Sequence, residues 1–377
     1  MTRERVTPLA DIWKLVRECV KTITPYSPGK SSQEVTEEFG IAEVTKLASN
    51  ENPLGPSPLA IEAIRAAAGD VYIYPDPVWA ELRQALGEFY SFDPEGIIIG
   101  RGSDEIIHMM GLSLLDPGDE VIYPLPAFAL YPFTTTVMNC KHVGVPSTGL
   151  RGMDHDLEVM ADAITDRTKL IFVCNPCNPT GTVVTQTQTD AFMQRVPDHC
   201  LVVFDEAYYE YVDDPQFPDT LQYAREGRLS ITLRTFSKAY GLAGLRIGYG
   251  IAAPEVAKAI KLTCEPFNAN LLSLVAAVAS LKDPDQVKRS VAMNAAGKQY
   301  LYGEFERMGL DYQPTQSNFV FVNVQMDSKE CFDRLMRRGV TVRTGDIFGF
   351  DNWIRVTIGT REQNERFIAA LEQARSD

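Results

Sequence analysis

Hydrophobic and polar positions change period several times along the chain, and those changes divide it. In residues 8–21, Leu9, Ile12, Trp13, Leu15, Val16 and Cys19 recur at helical spacing. Residues 24–30 are rich in Pro and Gly and read as a loop. Residues 46–58 hold too much Pro, Gly and Asn for regular structure. They end on Ser57, an N-cap residue, with Pro58 at the first helical position, which predicts a helix to about Ala68. Helical patterns then follow at 77–90, 103–115, 157–164 and 185–195. Short apolar runs at 120–123, 141–145, 169–173, 201–204, 230–233 and 246–250 read as strands. Strands alternating with helices require crossover connections, hence an α/β fold with a mostly parallel central sheet covered on both faces. In such sheets chemistry gathers beyond the carboxyl ends of the strands.

Past about Asn268 the pattern changes. Two long helical stretches, 270–281 and 285–308, lead away from the sheet. Short strands at 319–322, 341–342 and 354–357 follow, with helices at 329–338 and 361–374. This second style predicts a smaller α+β part. The expected division is a large part, 41–275, and a small part made of 1–40 with 276–377. A chain of 377 residues suits two such parts.

Composition narrows the function classes. Apolar content of 45% and charged content of 23% are those of a globular protein with a sizeable core. A formal net charge of -14 argues against nucleic acid and against anionic membranes as partners. No apolar run is long enough to span a bilayer. Residues 1–5 are charged and lack the apolar stretch of a secretory signal. With seven scattered cysteines, this makes a reducing, cytoplasmic setting the expectation. Cys174 and Cys177 form a C-x-x-C with no second pair, so no metal site is read there.

Several segments at the predicted strand ends carry unusual chemistry. Asp205 ends the apolar run Leu-Val-Val-Phe-Asp, and Tyr208 follows three residues later. A lone Asp there could equally cap the next helix. Lys238 follows an apolar strand and is flanked by Thr235 and Ser237, with Gly241, Gly244 and Arg246 beyond it. Hydroxyls, an arginine fork and glycine-rich backbone are what a phosphate needs. A lysine beside such a site suits a Schiff base, because burial and nearby cations lower its pKa. Gly102, Ser103 and Asp104 precede or open a helix whose first N–H groups are a ready anion site, although an ordinary capped helix reads the same way. Residues 175–181, Asn-Pro-Cys-Asn-Pro-Thr-Gly, cannot be helix or central strand, and they fix either a rigid turn or the Asn178 amide. Arg343 and Arg355 lie in short apolar strands, where an arginine must pair with an acid or bind an anion.

Taken in order, the segment 175–181, Asp205 with Tyr208, and Ser237-Lys238 with Arg246 resemble the fold-type I pyridoxal 5'-phosphate (PLP) aminotransferases over essentially the whole chain. Four further segments are similar to the histidinol-phosphate branch: 24–30, 47–56 (Leu-Ala-Ser-Asn-Glu-Asn-Pro-Leu-Gly-Pro), 74–77 and 355–360 (Arg-Val-Thr-Ile-Gly-Thr). One departure is Cys177, where relatives commonly carry Asn.

The resemblance implies roles. Lys238 would carry PLP as a Schiff base and transfer protons, and Asp205 would pair with the ring nitrogen. Tyr208 and Asn178 would hold the ring's phenolic oxygen, and Phe128 would stack on the ring. Gly102, Ser103, Asp104, Thr235, Ser237 and Arg246 would hold the phosphate. Tyr74 would reach the neighbouring subunit's cofactor, implying a homodimer. Arg355, with Arg343, Tyr26 and Asn52, would bind substrate. The implied reaction is ping-pong transamination between a small amino donor, histidinol phosphate, and a 2-oxo acid, 2-oxoglutarate, in histidine biosynthesis. Alternatives on the same scaffold are an aromatic-amino-acid aminotransferase, a threonine-phosphate decarboxylase-like enzyme, and a non-catalytic binding module.

Overall fold

The computed structural model describes residues 11–23, 32–41, 43–149 and 151–376. Its centre is a seven-stranded sheet built from Ile97–Gly100 (β1), Glu120–Leu125 (β2), Lys141–Pro146 (β3), Thr168–Cys174 (β4), Leu201–Asp205 (β5), Ser230–Thr235 (β6) and Gly248–Ala252 (β7). The spatial order is β1-β7-β6-β5-β4-β2-β3. Pairing is parallel from β3 through β6, whereas β7 runs antiparallel to both of its neighbours. Strands β1, β5, β6 and β7 are buried at every position, as a sheet covered on both faces requires. The edge strand β3 is largely exposed and carries Lys141 and Pro146 at its ends, which blunts edge-to-edge pairing.

One face packs its apolar side chains under the helices Ser103–Leu114, Leu130–Val137 and Pro254–Lys261. On the other face, Ile122, Ile171, Val173, Val202 and Phe204 meet Leu157, Met160 and Phe192. A smaller antiparallel sheet, ordered Arg343–Thr344, Trp353–Thr357, Phe319–Asn323, Tyr312–Gln313, has its own core. In that core Val320, Val322, Ile354 and Val356 pack on Leu301, Phe305, Phe367 and Leu371. Thr45–Lys46 adds a short parallel pairing to Val340–Thr341, which ties the loop after it to this part.

Several expectations need correction. The helix expected over 8–21 is broken within the described residues: a turn at Ile12–Lys14 and a helix only at Glu18–Lys21, with Arg17 extended between them. Ile12, Trp13 and Leu15 are 60%, 65% and 81% exposed, so among the described residues the apolar stripe has little to bury against, and so short a helix is not stable alone. The helix expected from 77 starts at Ala80, because Asp76 accepts from the N–H groups of Val78 and Ala80 while Trp79 is left-handed at φ 52°. The strand expected at 246–250 starts at Gly248, since Arg246 is itself left-handed. The helix Leu271–Leu281 does not lead away from the sheet. It lies on Pro58–Ala67 and Ala80–Tyr90, in one cluster with Trp79 and Leu82. At the N-terminal side, Glu18–Lys21 lies beside Leu130–Val137, whereas Phe39 sits under the Arg337 guanidinium.

Candidate active site

A cavity of about 330 Å³ opens at the carboxyl ends of β4, β5 and β6, against the small sheet. Its lining brings together Gly102, Ser103, Asp104, Phe128, Asn178, Asp205, Tyr208, Thr235, Ser237, Lys238, Arg246, Arg343 and Arg355.

Lys238 follows β6 on a turn closed by the Gly241 N–H bonding back to its carbonyl. Gly241 sits at φ 72°, and a Cβ there would meet the Gly55 carbonyl at 2.4 Å, so both backbone angle and close approach require glycine. The Lys238 Nζ donates to the Ser49 carbonyl at 3.3 Å and lies 5.7 Å from the centre of the Tyr208 ring. Burial, followed by the charge of Arg355, lowers its amine to about 8.

Asp205 is the last residue of β5 and is 4% exposed. Its Oδ2 accepts a hydrogen bond from the Tyr131 hydroxyl at 2.7 Å, and its Oδ1 has no hydrogen-bond partner. Burial raises the carboxyl to about 6, against the pull of the Tyr131 hydrogen bond. A buried carboxylate oxygen left without a donor is costly, and its ligand must supply one.

Tyr208 is buried, and its hydroxyl accepts from the Asn50 Nδ2 at 2.9 Å. Burial raises that phenol to about 12. With the acceptor side occupied by Asn50, the hydroxyl proton is available to the cavity. Asn178 Oδ1 accepts from Arg355 Nη1 at 2.5 Å, and Arg355 Nη2 donates to the Ala48 carbonyl at 2.7 Å.

At the opposite end, Gly102 caps the helix Ser103–Leu114 at φ 76° with no side-chain cap, so the first-turn N–H groups face the cavity uncovered. A Cβ on Gly102 would meet Arg246 Nη2 at 2.7 Å, and one on Gly248 would meet the Ser103 nitrogen at 2.6 Å. Arg246 also pairs with Asp104 at 2.8 Å, and Thr235 donates to the Ser237 hydroxyl at 3.0 Å. Hydroxyls, helix N–H groups and a guanidinium thus converge in one cradle.

Asn52 and Tyr74 lie away from the cavity lining. Asn52 stands apart from the cavity, its Nδ2 committed to the Ala239 carbonyl at 2.8 Å and the Ser290 hydroxyl at 2.7 Å. Tyr74 is 77% exposed and stacks on Phe267, with centroids 4.5 Å apart. Tyr26 lies outside the described residues. Asn50 and Tyr131 escaped the sequence reading. Tyr131 falls three residues after Phe128, a helical spacing that could have placed both on one face.

The family described as aminotransferase class I and II has a model that matches residues 42–371. The histidinol-phosphate aminotransferase of Moorella thermoacetica is 51% identical over 367 residues, 97% of this chain and 94% of that one. Histidinol-phosphate aminotransferase 2 of Carboxydothermus hydrogenoformans is 45% identical, covering 95% of this chain and 98% of its own. Among solved structures, the histidinol-phosphate aminotransferase of Sinorhizobium meliloti in complex with pyridoxal-5'-phosphate superposes with a TM-score of 0.86 at 28% identity. That match covers 96% of this chain and 97% of that one.

Proposed function

The chain belongs to the aminotransferase class I and II family, and from that premise we propose that it transfers an amino group from histidinol phosphate to 2-oxoglutarate, with pyridoxal 5'-phosphate held on Lys238. The observation that carries the cofactor assignment is Asp205 Oδ1, a buried carboxylate oxygen with no donor, in the cavity that also holds Lys238. A protonated ring nitrogen supplies the missing donor. The glycine cradle at Gly102 and Gly248, with Arg246, Thr235 and Ser237, fits the phosphate.

When bound, the cofactor supplies an electron-withdrawing ring that stabilises the negative charge left on the donor's Cα. Asp205 keeps that ring protonated at its nitrogen. Tyr208 and Asn178 would hold its phenolic oxygen, and Phe128 would cover one face. Lys238 Nζ, the amine in the same cavity, would take the Cα proton as general base and redeliver it. Its lowered pKa suits both halves of that transfer near neutral pH.

The substrate reading rests on the relatives' names and on two arginines. Arg343 and Arg355 lie directly opposite each other on antiparallel strands, and both line the cavity. Two guanidiniums brought to one wall of the cavity can receive an anion. A phosphate ester and a carboxylate can each take that place in turn. Tyr26 would assist Arg343 and Arg355 in binding the substrate's anionic end, and Tyr74 would complete the site of a second subunit in a homodimer. The same reading divides the chain into a cofactor-holding part, 41–275, and a smaller part, 1–40 with 276–377, and places the reaction in the cytoplasm. No helix among the described residues is long and apolar enough to cross a membrane.

Specificity constants for histidinol phosphate, phenylalanine and tyrosine, each with 2-oxoglutarate, test the substrate. Histidinol phosphate should have the highest value. A higher constant for phenylalanine would replace this reading with an aromatic-amino-acid aminotransferase.

A further inference from the structure

Tyr131 is 0% exposed, on the helix Leu130–Val137 that packs on one face of the sheet. Its ring is stacked on Phe172 of β4, with centroids 4.3 Å apart and planes 12° from parallel, and meets Phe128 edge-on at 5.6 Å. Those two contacts fix the ring. Its hydroxyl donates to Asp205 Oδ2 at 2.7 Å and also lies beside the Cys174 thiol. The other oxygen, Oδ1, is left without a partner. A carboxylate has two equivalent oxygens and rotates about its terminal torsion with little resistance. A buried donor fixed on one oxygen removes that freedom and decides which oxygen faces the cavity.

We propose that Tyr131 is a positioning residue. Through its hydrogen bond to Asp205 Oδ2 it turns Oδ1 toward the cofactor's ring nitrogen and shares the carboxylate's charge. Phe128 joins the same unit: the ring that would cover the cofactor's face rests against the tyrosine that orients the carboxylate at its nitrogen. The turn that leads into the helix, closed by the Tyr131 N–H on the Phe128 carbonyl at 3.1 Å, thus sets both contacts. The proposal rests on the reading that the ring nitrogen faces Asp205.

Tyr131→Phe removes the hydroxyl alone and keeps the stack on Phe172. The apoprotein of this variant should bind pyridoxal 5'-phosphate about tenfold more weakly than the unaltered apoprotein, as expected when a buried charged hydrogen bond loses one partner. In the reconstituted enzyme kcat should fall while KM for the amino donor stays within about twofold, since the hydroxyl touches no substrate. Added to Asp205→Asn, the same change should weaken cofactor binding by less than about twofold, because the coupling runs through the carboxylate. Equal losses in both backgrounds would reduce Tyr131 to a packing residue and overturn the proposal, as would unchanged cofactor affinity or a variant that fails to fold. If the unaltered apoprotein took up no cofactor, the functional reading itself would fall instead.

Discussion

Lys238 is the residue whose environment changes its chemistry most. Only a neutral amine can attack a carbonyl carbon. At its ordinary value of 10.5 a lysine is neutral in about one molecule in a thousand at pH 7.5; at about 8 the fraction is about one in four. The rate of cofactor uptake by the apoprotein should therefore rise with pH, reach half its maximum near pH 8, and level off above that. Stopped-flow absorbance at the cofactor's band measures it, and a rate still climbing tenfold per unit above pH 9 would show an unperturbed lysine. Lys238 was legible in the sequence because its neighbours break the rules of a solvated lysine: hydroxyls, an arginine and glycines directly after an apolar strand. Asn50 and Tyr131 were not legible, because each acts on a partner far away in sequence, 158 and 74 residues distant. No local pattern records such a contact.

At the scale of elements, the cavity depends on how closely β7 approaches the start of the helix Ser103–Leu114. Gly248 allows that approach. Gly248→Ala would press a methyl group on backbone at 2.6 and 2.7 Å, and backbone cannot step aside as a flexible side chain can. The variant should lose about 1–3 kcal/mol of stability from overpacking and bind cofactor more weakly, measured by thermal melting and by fluorescence titration. A second element-scale support lies beside Asp205. Glu206, at the end of β5, pairs with Arg234 of β6 at 2.8 Å, with side chains 0% and 3% exposed. Arg234 is covered by the Tyr209 ring, 3.3 Å from its centroid. Glu206→Leu would leave that guanidinium buried and unpaired and should cost about 3–5 kcal/mol, read from urea unfolding. The apolar runs made six of the seven sheet strands legible. Strand direction was not, since a fully buried run looks the same either way.

At the scale of the whole molecule, the segment around Tyr74 stands out. Val71, Tyr72, Ile73, Tyr74 and Val78 are all more than half exposed, a continuous apolar stretch of the kind that marks an interface. The proposed homodimer accounts for it, and sedimentation should give twice the chain mass. Tyr74→Ala and Lys238→Ala, each weak alone, should complement when mixed and reassociated. A mixed dimer regains one intact site, so about a quarter of full activity should return. A monomer in sedimentation, or no recovery on mixing, would contradict that arrangement. The α/β order and the change of style after residue 268 were legible, because periodicity reports layers. The seating of the helix Leu271–Leu281 on the large part was not, since an apolar helix does not name the surface that buries it.

Borohydride reduction of the purified protein reads out which lysine carries the cofactor. Reduction followed by peptide mapping should find one pyridoxyl group, on the peptide containing Lys238. A pyridoxyl group on any other lysine, or none at all in protein saturated with pyridoxal 5'-phosphate, would contradict the assignment to Lys238.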